Sequence, residues 1–200
     1  MSIRRLLTLG RKGFTLVELM IVIVLIGIVG TTFFVFFNDS LSQYLALQKD
    51  GTAFTGLASQ SQRLANVLRG LTDITSESAN EITCYAYFAP NDTYTSQIHY
   101  YLSSDGKKLL ADVTPMTANP PIGTLITSQT KTFTIISDFY QPDGTTLFGY
   151  LNDTGAALTL PIPDEHSIKG IQVNLAAQGA NNSDQQITLQ VSLRNRKTNL

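Results

Sequence analysis

The chain has 200 residues, of which 43% are hydrophobic and 14% charged, and its formal net charge is −1. This length fits one domain and one further element, and the near-zero charge argues against a broadly basic nucleic-acid-binding protein or an acidic disordered tail. The single cysteine, Cys84, excludes a disulfide within the chain and a zinc site built from cysteines. His99 and His166 lie far apart without HExxH spacing, which argues against most metallohydrolases.

An apolar run extends from Phe14 to Phe37, and Glu18 is its only charged residue. As an α-helix rising about 1.5 Å per residue, this run reaches roughly 36 Å, enough to cross a hydrocarbon core of about 30 Å. Four basic residues precede it with no acid among them: Arg4, Arg5, Arg11 and Lys12. The positive-inside tendency therefore predicts a single-pass membrane protein with a cytoplasmic amino terminus and an extracytoplasmic remainder.

Two simpler interpretations of this segment stay open. A cleaved secretory signal peptide has a run of about 7–15 apolar residues that ends at small side chains, whereas Phe33 to Phe37 are bulky. An uncleaved signal anchor carrying an extracytoplasmic binding or enzyme domain fits the run and requires neither Gly13 nor Glu18. It leaves Glu18 unexplained, since a carboxylate at the bilayer centre costs about 2.5–3.5 kcal/mol, and less near the interface.

The eight residues from Arg11 to Glu18, Arg-Lys-Gly-Phe-Thr-Leu-Val-Glu, resemble the signal of type IV prepilins and type II secretion pseudopilins. The resemblance implies that prepilin peptidase cuts between Gly13 and Phe14 and methylates the new amino group of Phe14. It also implies that Glu18 neutralises the terminal amine of a neighbouring subunit during filament assembly. Other pilin or pseudopilin subunits and an inner-membrane assembly platform are further implied partners. Major pilins often carry a proline at the position of Val35, and this chain does not.

After Phe37 the pattern becomes amphipathic and predicts a helix that continues to about residue 73. Its apolar stripe, which needs a sheet to cover it, contains Leu41, Leu45, Phe54, Leu57, Leu64, Val67, Leu68 and Leu71. Alternating and β-favouring residues then predict strands at 81–88, 96–102, 107–113, 132–137, 146–151, 168–175 and 186–193. A hairpin turn is predicted at residues 103–106.

One long helix followed by an antiparallel meander predicts an α+β, pilin-like fold. We expect a basic leader at 1–13, a membrane-spanning or filament-core helix at 14–37, an amphipathic helix at 38–73 and an antiparallel β head at 74–200. The head resembles W-type minor pilins and J-type pseudopilins in loose patterns only. They comprise Arg63 to Arg69 at the helix end, the Tyr-Tyr-Leu hairpin at 100–102 and the terminal segment 191–196.

Catalytic motifs such as GxSxG or a glycine-rich phosphate loop do not occur in the sequence. We therefore expect no enzyme and no cofactor, structural or solvated roles for His99 and His166, and a buried, inert thiol at Cys84. Four loop residues offer oxygen ligands for calcium, but they lack EF-hand spacing and favour ordinary turns: Asp138, Asp143, Asn152 and Asp153.

The basic residues outside the leader are few and scattered, and they do not indicate a nucleic-acid groove. The most clustered are Lys107, Lys108, Arg194, Arg196 and Lys197. The sequence thus predicts a structural subunit, a minor pilin or pseudopilin, that resides first in the membrane and then in an extracellular or periplasmic filament.

Overall fold

The computed structural model describes residues 13–139, 141–142, 144–179 and 184–194. A single α-helix, α1, precedes nine β-strands in these residues. The elements are α1 (Leu16–Arg69), β1 (Asp73–Glu77), β2 (Ile82–Ala86), β3 (Ser96–Leu102), β4 (Leu109–Pro115), β5 (Lys131–Ile136), β6 (Phe148–Leu151), β7 (Ala157–Leu158), β8 (Gly170–Gln178) and β9 (Asp184–Ser192). Short 3₁₀ turns lie at Thr127–Gln129 and Glu165–Ser167.

The contacts divide the chain into two units, with the boundary between Leu45 and Ala46. In the first unit every described residue, from Gly13 to Leu45, is exposed. The helix is nevertheless continuous through Gly27 and Gly30, and again through Gly51 and Gly56 of the second unit. Glycine disfavours a helix by about 1 kcal/mol relative to alanine, so four such positions weaken α1 without interrupting it.

The second unit contains two antiparallel sheets. The first has the order β1-β2-β3-β4-β5 and the second has the order β7-β6-β8-β9. The turn that joins β3 to β4 is the predicted one: Gly106 adopts a φ of +67°, which suits glycine because it has no Cβ. The register between β3 and β4 places Ile98 opposite Val113. An isolated bridge pairs Phe139, which follows β5, with Ala177 of β8.

The hydrophobic core is formed by the last turns of α1 together with residues of both sheets. Leu57, Leu64, Leu68 and Leu71 are at most 2% exposed. Strands β2, β3 and β4 alternate buried and partly exposed residues, as expected of a sheet with one covered face. The side chains that form this covered face include Ile82, Cys84, Ala86, Ile98, Tyr100, Leu109 and Ala111.

The α+β class predicted from the sequence is confirmed: one long apolar helix and antiparallel sheets make up a pilin-like arrangement. The prediction of one antiparallel meander was wrong, because the strands form two sheets. In the second sheet β6 pairs with β8 rather than with β5, and β7 is an edge strand. The prediction also missed β1 and β7. Strand β7 has only two residues, and Ile74 is the only apolar residue among the five of β1, so neither strand has an alternating pattern that could be recognised.

The predicted apolar stripe is buried only in its second half. Leu41, Leu45 and Phe54 remain 44%, 54% and 49% exposed, respectively. Helical periodicity identifies which residues share a face, but it does not state where along the helix the covering sheet begins.

Candidate processing and assembly site

The predicted cleavage pair lies just before the start of α1 and is open to solvent. Phe14 is 80% exposed, and a Cβ built on Gly13 would meet no atom within 4 Å. The fold therefore imposes no steric requirement for glycine at position 13. Arg11 and Lys12, which the signal also includes, lie outside the described residues.

Glu18 closes a reciprocal pair of hydrogen bonds with Thr15 at the first turn of α1. The backbone N–H of Thr15 donates to Glu18 Oε2 at 2.9 Å, and the backbone N–H of Glu18 donates to Thr15 Oγ1 at 3.3 Å. The Thr15 hydroxyl also donates to Oε2 at 2.9 Å. This arrangement is a capping box, in which two side chains satisfy backbone donors that the helix leaves unpaired.

Sequence reasoning sought a basic partner for Glu18 and missed Thr15. The signal was present, because Thr-x-x-Glu directly before an apolar run is the sequence pattern of a capping box. Both hydrogen bonds to the carboxylate end on Oε2, so Oε1 accepts no hydrogen bond from the described residues. The carboxylate thus has one occupied and one available oxygen.

The surface beyond Glu18 is apolar and presents few polar groups. The helix is long and apolar enough to cross a membrane, judged by length and composition. The two hydroxyls between Glu18 and Phe37 are satisfied within the helix itself: Thr31 donates to the carbonyl of Gly27 at 2.7 Å, and Thr32 donates to that of Ile28 at 2.9 Å. Because such bonds leave no hydroxyl in need of water, this surface suits lipid or another apolar helix.

Among the described residues of the second unit, those that could carry chemistry do not form a single site. His99 Nε2 lies 3.2 Å from Glu81 Oε2, and its ring stacks on Tyr101 with centroids 4.8 Å apart. No sequence pattern indicates this cluster, since β2 and β3 bring Glu81 and His99 together from 18 residues apart. His166 lies in a surface turn, where its backbone N–H donates to Asp164.

Cys84 is fully buried on β2, and this burial raises the pKa of its thiol to about 12. Asn152 uses its side chain within its own turn, accepting from the backbone N–H groups of Thr154 and Ala156 at 3.0 and 2.8 Å. Among the described residues, no group of three or more His, Cys, Asp or Glu side chains is placed to hold a metal ion. Asp143, Arg196 and Lys197 lie outside the described residues.

Comparison with known protein families identifies the amino-terminal segment. The family model for the prokaryotic N-terminal methylation motif matches residues 9–34, a stretch that includes Gly13, Phe14 and Glu18. In the comparison with curated proteins, no match was found. The chain therefore carries a prepilin-type signal, and this signal supports a type IV pilin-like or pseudopilin-like protein.

Proposed function

We propose that this chain is a structural subunit, a minor pilin or pseudopilin, of a type IV pilus-like filament. The observation that carries the proposal is the methylation motif at residues 9–34 on a helix whose apolar surface is exposed from Phe14 to Phe37. Such a surface needs a partner. The bilayer supplies it before assembly, and the helices of neighbouring subunits supply it afterwards.

Processing begins the sequence of events. Prepilin peptidase cleaves between Gly13 and Phe14 on the cytoplasmic side and methylates the amino group of Phe14. The exposure of both residues supports access by a peptidase. Removal of the leader leaves 10 of the 14 basic residues against 15 acidic ones, so the formal net charge changes from −1 to −5.

The new amine then has a defined counter-charge. It pairs with Glu18 of an adjacent subunit. An unpaired charge in a low-dielectric setting is energetically costly, and in this pair each group compensates the charge of the other. The capping box supports this role, since it fixes the Glu18 side chain through Oε2 and leaves Oε1 open. The pair would set the register between subunits, while apolar contact drives association.

Mass spectrometry of the chain expressed with and without a prepilin peptidase tests this proposal. We expect a mature chain that starts at N-methyl-Phe14 only when the peptidase is present. An intact amino terminus, or a cut elsewhere, would instead support the uncleaved signal anchor with an extracytoplasmic binding or enzyme domain.

A further inference from the structure

A concave groove of about 640 Å³ lies in the second unit, between the last turns of α1 and the connection from β2 to β3. The helix contributes Arg63 and Val67, and the connection contributes Tyr87, Phe88 and Pro90. Among the described lining residues, Arg63 is the only one with a charged side chain. The groove therefore combines an apolar and aromatic wall with a single cation and with uncharged polar side chains of α1, which are Ser59, Gln62 and Asn66.

The guanidinium of Arg63 is held by a ring face rather than by an acid. Its Cζ lies 4.8 Å from the centroid of the Phe88 ring, and Phe88 packs in turn against Phe133, with centroids 4.9 Å apart. Within the described part of the chain, no carboxylate forms an ion pair with Arg63 and no acceptor receives its N–H groups. A cation–π contact does not require an N–H···O hydrogen bond, so the N–H donors of the guanidinium remain available to a partner.

The opposite wall of the groove is fixed by hydrogen bonds. Asn119 donates to the Tyr87 hydroxyl at 3.1 Å and accepts from the backbone N–H of Thr95 at 2.8 Å. Asp92, the one acid between residues 87 and 95, accepts from the backbone N–H of Ala89 at 2.8 Å. This acid is therefore engaged in the turn of its own connection, and the groove is formed in advance of any partner.

We propose that this groove docks a neighbouring filament subunit through a carboxylate that lies beside an apolar side chain. This inference rests on the proposed function, because the filament supplies the partner. Charge complementarity carries it: a fixed and unpaired guanidinium matches a carboxylate in a bidentate manner, and the processed chain itself is acidic. Arginine and tyrosine are also the residues that most often dominate interface energies. Nucleic acid is disfavoured, since its affinity depends on many cations.

Cross-linking of assembled filaments tests the docking directly. Arg63→Lys keeps the charge and supplies an amine that a water-soluble carbodiimide joins to a carboxylate in contact. We expect digestion and mass spectrometry to recover the amine introduced at position 63 bonded to an Asp or Glu of another filament subunit. Subunits labelled separately with light and heavy nitrogen distinguish another copy of this chain from the same copy. Charge reversal of that acid should lower incorporation, and combining it with Arg63→Glu should restore it.

Arg69→Lys and Arg69→Gln are the matched controls, because Arg69 is exposed on the same helix but does not line the groove. Arg63→Gln should lower the chain recovered in filaments by about tenfold, the change expected for loss of an interface arginine, while Arg69→Gln should leave it unchanged. Bonds only within one copy, none to a filament subunit, or normal incorporation of Arg63→Gln would overturn the docking alone. Absence of the unmodified chain from filaments would overturn the proposed function as well.

Discussion

Glu18 has an observed structural role and a proposed intermolecular role, and ordinary substitutions can separate the two. Its Oε2 caps the first turn of α1 through Thr15, and its charge is proposed to meet an amine on another subunit. Glutamine can take the capping role of glutamate, since its carbonyl also accepts from the N-cap backbone N–H, but it carries no charge. The residue thus offers a direct comparison between a local structural role and an intermolecular one.

We predict that Glu18→Ala and Glu18→Gln both leave membrane insertion intact and both sharply lower incorporation into filaments. The physical reason is that neither variant can neutralise the amine of Phe14 in a low-dielectric environment. Quantitative immunoblotting of membrane and sheared-filament fractions provides the measurement. If Glu18→Gln assembles as well as the unmodified chain, capping alone accounts for the residue and the charge pair is excluded.

The side chains of the apolar stripe on helix α1 differ in solvent exposure along the length of the helix. Leu68 is 0% exposed, whereas Leu45 is 54% exposed. Both belong to the stripe predicted from the sequence, so periodicity alone treats them as equivalent. Only the position of the first sheet distinguishes a core residue from one that needs another partner.

Leu68→Ala should therefore lower the free energy of unfolding by about 2–5 kcal/mol, the cost of lost burial plus a cavity. Leu45→Ala, the matched control, should change it by no more than about 0.5 kcal/mol. Thermal and denaturant unfolding of the full chain in detergent would measure both. Equal losses for the two variants would contradict the burial assigned to the two halves of the stripe.

At the scale of the whole molecule, the features that depend on local pattern were predictable from the sequence. The apolar run, the signal around Gly13 and the hairpin between β3 and β4 follow from composition, spacing and turn chemistry, and the structure or the family comparison agrees with them. The pairing of β6 with β8 and the Arg63–Phe88 contact were not accessible, because they join segments distant in sequence. The proposed roles of Gly13, Phe14 and Glu18 remain predictions.

The first sheet interacts electrostatically with the turn that precedes β8. Glu77 lies on β1 of the first sheet, and burial together with the nearby Glu165 carboxylate, which precedes β8, raises the pKa of Glu77. The folded chain therefore binds this proton more tightly than the unfolded chain does. Stability contributed by the protonated form is lost as pH rises from the ordinary value of 4.5 through the raised pKa.

We accordingly expect Glu77→Gln to raise the free energy of unfolding at neutral pH by no more than about 1 kcal/mol, since partial solvent exposure screens the effect. The difference between the variant and the unmodified chain should disappear below pH 4.5. Unfolding measured in detergent at several pH values provides the check. A variant that is less stable at neutral pH would show that Glu77 forms a favourable contact instead.

The burial of Cys84 has a consequence for how a filament would hold together. A thiol that is 0% exposed, with its pKa raised to about 12, offers almost no thiolate at neutral pH, and disulfide exchange proceeds through the thiolate. Sulfur would then contribute no covalent bond between protomers, even in an oxidising compartment. Such a polymer would be unaffected by reductants, whereas surfactants that compete for its apolar interior would dissociate it.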